Sequence, residues 1–129
     1  MQMNKEHTIV NGASRLDTCA EHVKKVMGDQ GYRASVIKIA GGSVTQVHVA
    51  KTGMSDKIVA FATLNLWSAG DDLKFTVENN VAVSNPADGI ASPLTILLGV
   101  PVKFLLDMSK QIKLEEQLYL AASMFLTAS

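Results

Sequence analysis

Two hydrophobic periods alternate along this chain. From Ser14 to Met27, apolar residues recur every three or four positions: Leu16, Cys19, Ala20, Val23, Val26 and Met27. That spacing gathers them on one face of a helix and leaves Asp17, Glu21, Lys24 and Lys25 on the other side. Ser14, with Asp17 three residues later, fits a capping box, and Gly28 or Gly31 supplies a stop. After the helix the period drops to two. Ala34 to Ala40 is rich in β-branched residues, with Ile37 and Ile39 on one face and Lys38 on the other. Gly41-Gly42 marks a hairpin. Val44 to Lys51 sets Thr45, Val47 and Val49 opposite Gln46 and His48. Lys57 to Trp67 is the longest strand and is apolar on both faces, which predicts a central strand or one covered on both sides. Leu73 to Asn79 alternates, with Leu73, Phe75 and Val77 inward. KEHTIV, at residues 5–10, adds a short first strand ending at the turn dipeptide Asn11-Gly12.

The most apolar stretch is Gly89 to Phe125. Ser92-Pro93 reads as a helix start, and Gly99 and Pro101 break or kink that helix. Residues 79–88 form a linker into it. From Ser109 the pattern is amphipathic, with Leu114, Leu118, Ala121 and Phe125 on one stripe and Lys110, Lys113 and Glu116 away from it. The prediction is a single α+β domain over 1–129. It has an antiparallel meander of four or five strands, an N-terminal helix and a broken C-terminal helical region, with the helices packed on one face.

Composition narrows the functional classes. At 129 residues, 47% hydrophobic and 19% charged, the chain is globular and long enough for a core without metal or disulfide. Twelve basic and twelve acidic residues cancel, which argues against a nucleic-acid partner. The single cysteine, Cys19, forms no intrachain disulfide and points to a reducing, cytoplasmic setting. The N-terminus has no apolar h-region and reads as neither signal peptide nor anchor. Residues 90–106 approach the length of a bilayer span, but Lys103 and two prolines interrupt them. A lysine at mid-span costs about 2.5–3.5 kcal/mol, so a sheet-covering helix is favoured over a membrane span, and membrane-surface contact is a lesser option.

Candidate chemistry is sparse. Cys19 and His22 lie three apart on the first helix, but a zinc site needs three or four ligands and no second pair occurs. His7 and His48 stand alone in sequence. Asp71-Asp72 reads as a solvated turn and Glu115-Glu116 as helix surface. Gly41-Gly42-Ser43 lacks the lysine of a phosphate loop. No cofactor or metal is indicated, and an enzyme would have to draw on His22, His48, Asp71 or Asp72.

The order of strand, helix, four-strand meander and long C-terminal helix, over about residues 5–126, resembles the helix-grip and TBP-like layouts. The apolar run before the closing SKQIKLEEQL helix is similar to small bacterial α+β proteins of uncharacterised function. Helix-grip proteins often hold apolar ligands between sheet and long helix, and the resemblance implies that option here.

Two functions are expected on these grounds. The first is a non-enzymatic interaction module that uses the C-terminal helical region, with Leu114, Leu118, Ala121 and Phe125 contacting a protein partner or a second copy. The second is a carrier or sensor of an apolar small molecule, with Phe61, Leu64, Leu66, Trp67, Phe104 and Leu105 near a cavity between sheet and helix.

Overall fold

A computed structural model describes residues 6–53, 58–78 and 107–127. The apolar segment 90–106, with Phe104 and Leu105, lies outside the described residues, as do the Ser92-Pro93 helix start, the break at Gly99 and Pro101, and the 79–88 linker.

Five strands form one antiparallel sheet: β1 (His7–Ile9), β2 (Arg33–Ile39), β3 (Val44–Thr52), β4 (Ile58–Ala69) and β5 (Asp72–Glu78). β2 to β5 are joined as a meander, and β1 adds to the free edge of β5, giving the order β1-β5-β4-β3-β2. The longest strand, β4, is therefore central. A single helix, α1 (Leu16–Asp29), carries the chain from one edge of the sheet to the other. The closing helix, α2 (Met108–Thr127), packs on the same face, over β4 and β5 and against α1.

The helix face of the sheet carries Val47 and Val49 from β3, Ala60, Ala62, Leu64 and Leu66 from β4, and Leu73, Phe75 and Val77 from β5. Cys19, Ala20, Val23 and Met27 of α1 and Leu114, Leu118, Ala122 and Leu126 of α2 close over them in one hydrophobic cluster. Ile37 and Ile39 do not belong to it. Register pairs Ile37 with Gln46 and Ile39 with Val44, which puts both on the opposite face, while Lys38 reaches Asp17 of α1 at 3.2 Å. A one-residue difference in register reverses a strand's faces, and only pairing fixes it.

Helix ends also differ from the expectation at Ser14. Ala13–Arg15 form a 3-10 turn, α1 begins at Leu16, and no side chain caps it. The stop is Gly31. At φ +91° it allows Tyr32 N–H to donate to Met27 C=O and Gly31 N–H to Gly28 C=O, the paired bonds of a Schellman ending. Asp107 starts α2: its carboxylate accepts from the Ser109 and Lys110 N–H groups and the Ser109 hydroxyl. Those bonds, the Ser109 hydroxyl first, hold the Asp107 carboxyl below the ordinary carboxylate range. Asp107 N–H in turn donates to Val59 C=O at 2.9 Å, fixing the start of α2 to β4. At the other end, Arg15 donates to the Leu126 carbonyl at 2.5 Å.

Candidate functional site

α2 has two apolar faces. The inner one is built by its sequence spacing: Leu114, Leu118, Ala122 and Leu126 are buried against sheet and α1. Leu114 and Leu118 are wholly inaccessible, and Ala121 and Phe125 are half-buried at the edge of the same cluster. The four residues expected to meet a partner thus contact the molecule's own core, because the sheet needs a cover and this stripe is the cover. The outer face carries what the core does not absorb. Met108 (70% exposed), Ile112 (49%), Leu120 (50%) and Met124 (65%) lie at four-residue intervals, interrupted only by exposed Glu116. Residues four apart form one continuous ridge along a helix.

Glu115 is the other departure on this helix. It is buried rather than on the surface, and accepts a hydrogen bond from Gln111 Nε2 at 3.0 Å. Gln111 sits one turn earlier on the inner stripe and bonds to the backbone of Phe61.

Of the six residues expected around an apolar ligand, the four that the structure describes do not meet in one place. Leu64 and Leu66 are in the cluster between sheet and helices, with no exposed surface. Phe61 and Trp67 alternate with them along β4 and so face the other way.

That opposite face carries a polar chain at its centre. Directly paired residues supply it: His48 with Thr63, Gln46 with Asn65, and Asn65 with Thr76. Thr63 Oγ1 is 3.0 Å from His48 Nδ1, and His48 Nε2 is 3.0 Å from Gln46 Oε1. Gln46 Nε2 donates to Asn65 Oδ1 at 2.8 Å, and Asn65 Nδ2 to Thr76 Oγ1 at 3.2 Å. Gln46 Oε1 is a pure acceptor, so His48 carries its proton on Nε2, and Nδ1 accepts from the Thr63 hydroxyl. A neutral imidazole satisfies both contacts. His48 is 2% exposed and lies parallel to the Phe61 ring, at 6.0 Å between centroids. Burial lowers its pKa from 6.5 to about 4, in keeping with that neutral form.

The remaining candidates are scattered. His22 is exposed and stacks on Phe125, whereas Cys19, three residues earlier, is in the core. Burial pushes the Cys19 thiol up to about 12, against a smaller opposing pull from Arg15. His7 lies between Phe75 and Tyr119 on the helix side of the sheet. Asp72 accepts from Asn11 N–H, and the Asp71 carbonyl accepts from Ala13 N–H, so both aspartates brace the β1–α1 connection. Asp72 pairs with Ala69, six positions along β4 from the Thr63 that pairs with His48, which is roughly 20 Å. The structure therefore brings none of His22, Asp71 or Asp72 to His48. Among the described residues, no group of three metal-ligating side chains occurs, and no helix is long and apolar enough to cross a membrane.

The pattern on α2 was partly visible in sequence. Met108, Ile112, Leu120 and Met124 are themselves apolar at helical spacing, but the inner stripe is the longer one and takes precedence. The His48 chain had no sequence signal beyond alternation, because its members come from three strands.

Compared with known protein families, characterised proteins and solved structures, the chain matches none.

Proposed function

We propose that this chain is a non-enzymatic interaction module that docks through the outer face of α2, with a second copy of itself as the partner. One observation carries the reading. The helix completes the core with one stripe and still presents Met108, Ile112, Leu120 and Met124 to solvent on another. Single exposed apolar residues are ordinary, but Ile112 and Leu120, one turn to either side of Glu116 on a 20-residue helix, with Met108 and Met124 at the two ends of the same winding ridge, are a grouping of the kind that marks contact sites. The partner surface is thus Met108, Ile112, Leu120 and Met124, not the Leu114–Leu118 stripe.

The solid packing around Leu64, Leu66, Leu114 and Leu118 supports this reading over an apolar ligand held between sheet and helix. The single cysteine, which can form no intrachain disulfide, suits a reducing compartment such as the cytoplasm. Sedimentation velocity over a wide concentration range tests the proposal. A weight-average coefficient that rises with concentration is expected. A coefficient that stays at the monomer value to several hundred micromolar contradicts it.

A further inference from the structure

Of the three consecutive hairpins in the sheet, β3–β4 is the one that no tight turn fixes. Residues 70–71 alone join β4 to β5, with Gly70 at φ +63°, and the short Ala40–Gly42 turn joins β2 to β3. Such turns set the register of the strands they connect. Residues 53–57 separate β3 from β4, and the register already shifts between Lys51 and Thr52. A longer connection beside a bulge admits more than one pairing.

Hydrophobic pattern does not choose among them either. A displacement by one residue would carry Gln46 and His48 into the helix-side cluster, where they find no polar partner, so burial excludes it. A displacement by two keeps every side chain on its own face. β4 is buried from Ile58 to Leu66, on both faces. On the helix side, Val47 would then lie opposite Ala62 or Leu66 instead of Leu64, which is apolar against apolar in each case.

The other face does distinguish these pairings. We infer that the side-chain bonds between Thr63 and His48 and between Gln46 and Asn65 are a register lock, which selects the observed pairing of β3 with β4 over those displaced by two residues. Displaced one way, Thr63 lies opposite Ala50 and Gln46 opposite Trp67. Displaced the other way, His48 lies opposite Phe61 and Asn65 opposite Val44. Either way both cross-strand contacts, at 3.0 and 2.8 Å, are broken and buried polar groups are set against apolar ones. Each such loss disfavours a pairing about tenfold or more, so the two together hold displaced forms to roughly 1% or less. The bond from Asn65 to Thr76 crosses β4–β5, where the two-residue turn already sets register, and is not part of the lock.

Nuclear magnetic resonance of the full chain tests this, because cross-strand contacts read the register directly. The fourfold variant Gln46→Leu, His48→Leu, Thr63→Val, Asn65→Leu keeps the face apolar and removes the lock. It should fold and show a second set of β3 and β4 resonances, at several per cent or more, in which Val47 contacts Ala62 or Leu66 across the strands. Thr76→Val, the control, should show a single set with Val47 against Leu64. If the fourfold variant does not fold, the pair variants His48→Leu/Thr63→Val and Gln46→Leu/Asn65→Leu carry the test, each with a smaller second set expected. A single set in the observed register after removal of the lock overturns the inference. So does a second set of equal size in Thr76→Val. Pair variants that do not fold overturn it too, since the bonds would then supply stability rather than choose among pairings.

Discussion

The side-chain amide of Gln111 pairs with the peptide group of Phe61 as a neighbouring strand would. Phe61 N–H donates to Oε1 at 2.8 Å, and Nε2 donates to Phe61 C=O at 2.7 Å. β5 ends at Glu78, opposite Thr63, so Phe61 lies beyond its ladder. An unpaired peptide group at this depth is costly, and the glutamine supplies both the missing donor and the missing acceptor. Its second amide hydrogen goes to Glu115, and among the described residues no buried side-chain nitrogen or oxygen lacks a partner.

Removing that amide should therefore cost more than an ordinary polar truncation. We expect Gln111→Ala to lower unfolding free energy by about 2–4 kcal/mol, from three lost bonds and a buried peptide left unsatisfied. Gln111→Glu keeps the acceptor but loses both donors, and should fall in the same range. Urea unfolding followed by circular dichroism measures both. A loss below about 0.5 kcal/mol for Gln111→Ala would mean the pairing contributes little.

How legible was this in the sequence? The α+β class and the one-sided helices are set by periodicity, because Val47, Val49, Leu64, Leu66, Phe75 and Val77 alternate strictly. The central place of β4 is set by its two apolar faces. Register is not readable in the same way. Ile37 and Ile39 look like core residues until pairing with Gln46 and Val44 sets them on the other side. Nor is the role of a buried polar residue, since Glu115 reads as helix surface and nothing singles out Gln111 unless one knows that Phe61 lies past the end of β5. On α2, the strongest apolar stripe was visible and belongs to the core. The weaker stripe, Met108, Ile112, Leu120 and Met124, is the one left outside.

His48 makes stability depend on pH. Its folded-state pKa is lowered from 6.5 to about 4, so the folded form favours neutral imidazole. A base with a depressed pKa contributes stability that is fully present above the unfolded pKa. That stability is lost as pH falls from about 6.5 to about 4, where the folded state also takes up the proton. The span corresponds to about 3 kcal/mol. The difference in unfolding free energy between wild type and His48→Gln should therefore shrink between pH 7 and pH 4.5. A difference that is constant over that interval would contradict a neutral, buried His48.

Cys19 should behave as an inert core residue. With no exposed surface and a pKa raised to about 12, it holds almost no thiolate at neutral pH. Reaction with a thiol-specific chromogenic disulfide should be slow in the native protein and immediate in denaturant. Cys19→Ser should destabilise by about 1–3 kcal/mol, and Cys19→Ala by less, because the hydroxyl adds a buried polar group. Fast native labelling would place the thiol outside the core.

In the proposed function, α2 holds the fold with one face and a second copy with the other. The most direct test compares Leu118→Ala with Leu120→Asp, two residues apart, by unfolding free energy and by light-scattering mass at several hundred micromolar. Leu118→Ala should lose about 2–5 kcal/mol, as a buried leucine does. Leu120→Asp should stay within about 0.5 kcal/mol of wild type and shift the mass to that of a monomer. A Leu120→Asp variant that destabilises the fold as much as Leu118→Ala, or that keeps the mass of the wild-type protein, contradicts this division of the helix.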